Sequence, residues 1–364
     1  MIILVEIIIL LTLFIIVFLH TPKFGRLPGN KRKEKITASP NFRDGQFQNV
    51  NHTPSLTEGV SFSEVLFNFL FKEHPGKIPV KPLPAIKTDL KNLKQDENVL
   101  IWFGHSSYFF RLDGKNFLVD PVLCGSASPL PFGTKAFKGT NNYRWQDLPE
   151  IDCLFITHDH WDHLDYETVK AIRPQVGKVV CGLGVGEHLE RWGYDEGMII
   201  EKDWNEGFEL FRGFNVDTVP ARHFSGRGLT RNQTLWMSFV LKTPSKKIFI
   251  GGDSGYDTHF ARIGERFGPF DLAILENGQY DANWRYIHML PEEILKAATE
   301  LRANQLLPVH SGKFSLSNHT WQEPFEMITK NNEAVNMKLL TPKIGEKVDL
   351  NATDQVFDKW WREV

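Results

Sequence analysis

The chain has 364 residues, room for one large domain or two modest ones. Its net charge of −2 and pI near 6.7 leave no electrostatic footprint for nucleic acid. Cys124, Cys153 and Cys181 are odd in number and lack CxxC spacing, so they read as small buried apolar residues rather than a disulfide framework.

Residues 2–19, "IILVEIIILLTLFIIVFL", are apolar apart from Glu6 and Thr12. That length sits near the lower limit for crossing a bilayer, roughly 17–25 residues. With no basic stretch before it and no small-x-small site after it, the segment reads as an anchor rather than a cleaved signal. Lys23, Arg26, Lys31, Arg32, Lys33 and Lys35 follow it. The positive-inside rule then predicts a single-pass membrane protein whose main domain is cytoplasmic. The expected organisation is a transmembrane helix over 1–22, an extension over 23–98 packing on the main domain, and the main domain over 99–364.

In the extension, "SFSEVLFNFLFKE" (Ser61 to Glu73) reads as a short helix with Ser61 or Ser63 as N-cap. It is apolar nearly all round, which predicts packing on the main domain or a membrane-facing or substrate-guiding role. Strands follow at "VLIWFG", "YFFRL" and "NFLVD", the last two joined by the Asp113-Gly114 hairpin signal. "CLFIT" is a further strand, then a helix over Tyr166–Arg173, the strand "KVVC" and a helix over Gly186–Trp192. "FNVDTVPA", "LWMSFVL", "KKIFIGG", "FDLAILE" and "QLLPVH" complete the predicted strands, with a helix over Pro291–Arg302. Strands in blocks with single helices between them predict two sheets packed face to face, helices outside. The glycines of "CGLGVGEH" alternate and do not fit the GxGxxG dinucleotide fingerprint, so they read as a structural turn.

The chemistry concentrates in "FITHDHWDHLD" (Phe155 to Asp165). His158, His160, Asp162 and His163 form HxHxDH at the end of an apolar strand, where burying so many polar groups needs compensation. Imidazole and carboxylate suit zinc and related first-row metals. On a turning backbone His158 and His160 project to one side and serve one ion, while Asp162 and His163 reach a second. An N-cap role explains one aspartate and no histidine. His223 past "TVPA", Asp253 after "IFIGG" and His310 after "LLPV" each close a β-run, where a cleft above the sheets is expected. His105 and His319 read equally as partners of the ligands or as turn residues.

This order of residues resembles the metallo-β-lactamase superfamily. "HDHWDHLDYETV", "ARHFSGRGLTRNQTLWMSFV", "GGDSGYDTHFARIGERFGPFDLA" and "YIHMLPEEIL" are similar to N-acyl-phosphatidylethanolamine-hydrolysing phospholipase D and its bacterial relatives, over about residues 28–328. The resemblance implies an α/β fold of αββα sandwich type. It implies that His158, His160 and His223 hold one zinc, that Asp162, His163 and His310 hold the other, and that Asp253 bridges them. It places Trp161 and His288 against a phosphate-bearing substrate, with Asp162, Asp253 and His288 carrying the reaction. The sequence departs from the phospholipase at Glu276 and Gln279, at Ser311 and Lys313, and at Trp161, all near the expected metals.

Two cations about 3.5–4 Å apart lower the pKa of a shared water and supply hydroxide near neutral pH. The expected activity is phosphodiester hydrolysis of phospholipase D type, on an N-acyl phosphatidylethanolamine or a related lipid at the membrane. Lactone and nucleotide phosphodiester hydrolysis are alternatives on the same site, as is a non-catalytic membrane scaffold. Manganese and iron accept the same ligands as zinc. A di-iron oxygen-reducing protein of this fold usually carries glutamate where this chain has His160, which argues against that reading.

Overall fold

The computed structural model describes residues 2–72, 74–130 and 133–364. Met1 and Glu73, the final residue of the helix expected over Ser61–Glu73, lie outside the described residues. The N-terminal part holds α1 (Ile2–Leu19), α2 (Asn30–Ala38), the small hairpin β1 (Phe42–Arg43) and β2 (Gln46–Phe47), and α3 (Phe62–Phe71).

Beyond it, two seven-stranded sheets face each other. The first comprises β3 (Val99–Trp102), β4 (Tyr108–Leu112), β5 (Lys115–Val119), β6 (Ile151–Ile156), β7 (Val176–Gly182) and β8 (Ile199–Lys202), with β16 (Lys347–Asp349) added beside β3. The second runs from β9 (Gly207–Phe211) through β10 (Phe214–Val219), β11 (Ser238–Lys242), β12 (Lys247–Ile250), β13 (Leu272–Glu276) and β14 (Gln305–Val309) to β15 (Lys338–Leu339). The Asp113-Gly114 turn does join β4 to β5, both residues at positive φ (47° and 77°), as a tight hairpin requires.

The layering follows from alternation along the strands. Leu100 and Trp102 of β3 join Phe110, Phe117, Phe239, Ile250 and Ile274 in the cluster between the sheets. Their neighbours Val99 and Ile101 point outward, to Val169, Ile172 and Leu189 of α4 (Tyr166–Ile172) and α5 (Gly186–Arg191). On the other side, Ala273 and Leu275 of β13 pack on α6 (His259–Phe267), α7 (Glu293–Glu300) and α8 (Glu323–Val335) through Phe260, Ile263, Ile294 and Ile328. The result is the expected αββα sandwich.

The N-terminal expectation is overturned. α1 is helical, but among the described residues no helix is long and apolar enough to cross a membrane. Its 18 residues, about 27 Å of helix at 1.5 Å per residue, stand at the very bottom of the range needed for a hydrocarbon core of roughly 30 Å. The transmembrane helix and the single-pass membrane location are therefore withdrawn. The C-terminal end of α1 instead meets the sandwich: the Phe18 ring lies edge-on to Phe24, and Arg191 donates to the His20 carbonyl. The apolar face of α3 is not covered either, for Phe62, Phe67 and Phe71 are all exposed.

Candidate metal centre

Every expected ligand stands at one edge of the sandwich, just past a strand. His158, His160, Asp162 and His163 follow β6, His223 follows β10, Asp253 follows β12 and His310 follows β14. Gly251 and Gly252 do permit a close approach, but to protein: a Cβ at Gly251 would meet the Ile274 carbonyl at 2.5 Å and one at Gly252 the Thr157 Cβ at 2.8 Å. These glycines let β12 lie against its neighbours and so deliver Asp253 to the centre.

The side chains form two groups that share Asp253. In the first, His160 Nδ1 lies 2.9 Å from His158 Nε2 and 3.2 Å from His223 Nε2. Asp253 Oδ2 stands 3.8 Å from His158 Nε2 and 3.7 Å from His223 Nε2. In the second, His163 Nε2 lies 3.5 Å from Asp162 Oδ2 and 3.2 Å from Asp253 Oδ2, while His310 Nδ1 is 3.1 Å from Asp253 Oδ1. His163 Nε2 and Asp253 Oδ1 are buried with no hydrogen-bond partner. Buried polar atoms left unmade are costly, and a divalent cation in the second group satisfies both, while the first group offers three imidazoles and a carboxylate suited to another. The donor set fits the expected metals.

Four of the ligands are oriented by a partner, as metal-binding residues commonly are. His163 Nδ1 donates to Asp120 Oδ2 at 2.8 Å, and Asp120 also accepts from the Thr157 amide. His223 Nδ1 donates to the Ile287 carbonyl at 2.8 Å, which turns Nε2 inward. The Ser106 hydroxyl sits 2.9 Å from His310 Nδ1. His105 is fully buried and its Nε2 donates to Asp162 Oδ2 at 2.8 Å, so it is a partner of a ligand and not an idle turn residue. His105, Asp120, Gln279 and His310 all hold left-handed backbone, with φ of 54°, 41°, 59° and 64°. Such residues cost about 1–3 kcal/mol each and persist where the surroundings over-determine them.

Asp120 was not anticipated from sequence. It closes "NFLVD" in the way Asp253 closes "IFIGGD", and that strand-end signal was there to be used. His288 reaches the centre: its ring lies 5.0 Å from that of His223 and 5.2 Å from that of His310. Trp161 is not brought to the cleft; its ring packs edge-on to Phe24 and lies 3.9 Å from the Arg227 guanidinium.

Burial holds His158, His223 and His310 well below the usual imidazole range and His160 at about 4. These four are neutral at pH 7 and ready to ligate. Burial would also depress His163, but Asp253 and Asp162 outweigh it and hold the ring protonated above the ordinary value. Burial lifts Asp253 to about 6. A ligand must shed its proton to bind metal. Metal uptake at pH 7 should therefore release a proton from His163, in addition to that given up by metal-bound water as it ionises, with Asp253 adding to the release below pH 6. Titration calorimetry in buffers of different ionisation enthalpy measures this directly, and uptake without proton release at pH 7 contradicts the assignment.

Beside the two groups opens a cavity of about 280 Å³. Leu56, Phe62, Phe224, Trp284, Ile287 and Leu316 form its apolar wall. Arg231 stands at its rim over the Phe224 ring, at 4.9 Å, and its guanidinium has no ion pair among the described residues.

Sandwich and donor set together define a metal-dependent hydrolase of metallo-β-lactamase fold. The chain belongs to the β-lactamase superfamily, its residues 115–311 matching the Beta-lactamase superfamily domain. An uncharacterized protein of Mycobacterium tuberculosis is 36% identical over 328 residues, covering 89% of this chain and 88% of that one. N-acyl-phosphatidylethanolamine-hydrolyzing phospholipase D 1 of Caenorhabditis elegans is 30% identical over 310 residues, 78% of this chain and 83% of its own. Among solved structures, CmlA, a diiron β-hydroxylase from Streptomyces venezuelae, shares the fold at 22% identity and a TM-score of 0.52, over 70% of this chain and 55% of that one.

Proposed function

We propose that the protein hydrolyses a phosphodiester in an amphiphilic lipid, with two zinc ions as its resident metals. The observation that carries this reading is the cleft: a two-group donor set flanked by one apolar wall and one unpaired guanidinium. The resemblance to the C. elegans phospholipase adds weight to an N-acyl phosphatidylethanolamine or a related lipid.

Divalent ions bound there lower the pKa of water and offset charge on a phosphoryl oxygen. The chain's own residues do the rest. Asp253 faces both donor groups and holds them in register. The apolar wall takes an acyl or glyceryl portion and shields the site from bulk water, which strengthens every charge interaction inside. Arg231 suits an anionic headgroup oxygen, since a guanidinium offers paired donors to phosphate. His288 stands where it meets a phosphoryl or leaving-group oxygen. The scissile P–O bond is the one to the headgroup alcohol, so water supplies the new P–O bond and the alcohol leaves with a proton.

The test is a hydrolysis screen of purified protein loaded with zinc, manganese or iron. Substrates should include N-acyl phosphatidylethanolamine and phosphatidylcholine in mixed micelles, cyclic nucleotides and lactones. The expected result is a phosphatidic acid and a free alcohol from a lipid substrate. Faster turnover of a lactone or a cyclic nucleotide would overturn the lipid assignment.

A further inference from the structure

Glu276 ends β13 at 1% exposure, among the metal ligands yet outside the expected set. Its Oε2 accepts from His288 Nδ1–H at 2.6 Å, and its Oε1 accepts from the Met289 amide at 2.6 Å. The two bonds grip one turn from two directions, fixing both the ring and the backbone that carries it. With Nδ1 so engaged and His288 lining the cavity, the opposite edge of the imidazole is the one left for the cleft, and Nε2 makes no hydrogen bond among the described residues. The ring lies between His223 of one donor group and His310 of the other.

We infer that Glu276 is a positioning residue: it holds His288 so that Nε2 presents itself to substrate beside both metal sites. The inference rests on the hydrolase reading above and assigns a role to a carboxylate that reading does not use. Ligation by Glu276 is the competing account, because its oxygens come within 4.8 Å of the donor atoms of Asp253 and His310. Both oxygens already accept short hydrogen bonds, however, and Glu276 does not line the cavity while His288 does. The carboxylate therefore acts through the histidine, as carboxylates behind functional histidines commonly do.

Glu276→Gln separates the accounts. The Met289 amide needs the glutamine oxygen, so the amide NH₂ turns towards His288 Nδ1 and the ring proton must move to Nε2. Ring ¹⁵N signals of the full-length, metal-replete protein, assigned against His288→Asn, should show Nδ1 protonated in the wild type and unprotonated in E276Q. Metal content should stay at the wild-type value in both variants. On bis(p-nitrophenyl) phosphate and on N-acyl phosphatidylethanolamine, kcat should fall about 10–100-fold in E276Q, the usual cost of losing such a partner, and about 10²–10⁴-fold in His288→Asn. The double variant should be no slower than His288→Asn alone, since the two residues act as a unit. Unchanged ring signals, additive losses, or the departure of one ion from E276Q would each overturn the inference. If the wild type cleaves neither phosphodiester, the hydrolase reading falls while the ring signals still decide the role of Glu276. Should E276Q fail to fold, Glu276→Asp, which withdraws the oxygens by one methylene, is judged on the same measurements.

Discussion

Asp253→Ala is expected to lose at least about 10²–10³-fold in turnover, the scale of removing one fixed charge from a preorganised site, and to bind fewer than two ions. The reason lies in its contacts. Its Oδ2 faces His158, His223 and His163 at 3.8, 3.7 and 3.2 Å, and its Oδ1 faces His310 at 3.1 Å. Its two oxygens thus face both donor groups, so its loss is felt at both sites. Stability supplies a second readout. Without metal, Asp253 is a buried carboxyl whose Oδ1 has no hydrogen-bond partner, yet its Oδ2 faces His163 at 3.2 Å and holds that ring protonated. Removing it relieves a buried carboxyl but breaks that pair, so the metal-free protein should change little in stability. The metal-loaded variant, by contrast, should lose the stabilisation that ligand binding confers on the folded state. Elemental analysis, a hydrolysis assay and urea melts with and without chelator check all three points. Two ions and wild-type turnover in D253A would refute the sharing of this carboxylate.

What could be read from the sequence was whatever is local in it. The seven ligand candidates each sit at the end of an apolar run, and alternation along those runs predicted both sheets and the edge where the donors meet. Besides the small hairpin β1–β2, four strands of the two sheets escaped notice, β8, β9, β15 and β16, and these are their four edge strands. β8, β9 and β15 mix polar and apolar residues with partial burial, "IIEK" being half-buried throughout, and β16 keeps one buried residue, so the core-facing pattern that reveals central strands is absent. Which ligand each partner meets is a different matter, for although His105 was a candidate partner and Asp120 closes a strand, their pairings are long-range. Asp120 and His163 are 43 residues apart and His105 and Asp162 are 57 apart, so no local spacing records their meeting. Burial also gives meaning to the departures from the phospholipase pattern. Glu276 fastens His288, Gln279 donates to the His310 and Phe314 carbonyls, and Lys313 donates to the Phe103 and Val122 carbonyls. The sequence marked these positions as unusual; only the fold shows that each secures a loop around the cleft.

Arg227→Ala is expected to destabilise the protein by about 3–5 kcal/mol. Arg227 is 4% exposed, and burial pulls its pKa down to about 10, although nearby carboxylates, Asp159 first, oppose the shift. Its Nη1 donates to the Asp159 carbonyl at 2.8 Å and to the Leu164 carbonyl at 2.5 Å, bracketing the loop that carries His160, Asp162 and His163. Its Nη2 donates to the Lys23 carbonyl at 2.8 Å, and the guanidinium lies over the Trp161 ring that Phe24 meets from another side. One side chain thus ties the N-terminal arm to the metal loop. Alanine leaves three carbonyls without their donor, each worth roughly 1–3 kcal/mol when buried, less what is recovered by no longer burying a charge. Lysine keeps the charge but has no planar fork, so Arg227→Lys should recover only part of the loss. Because the loop sets ligand geometry, metal affinity should fall as well, about 10–100-fold, the range seen when supporting contacts of a metal site are removed. Urea unfolding and competition with a chelator measure the two effects separately. If R227A unfolds at the wild-type urea concentration and holds metal as tightly, the arm and the metal loop are not coupled through this residue.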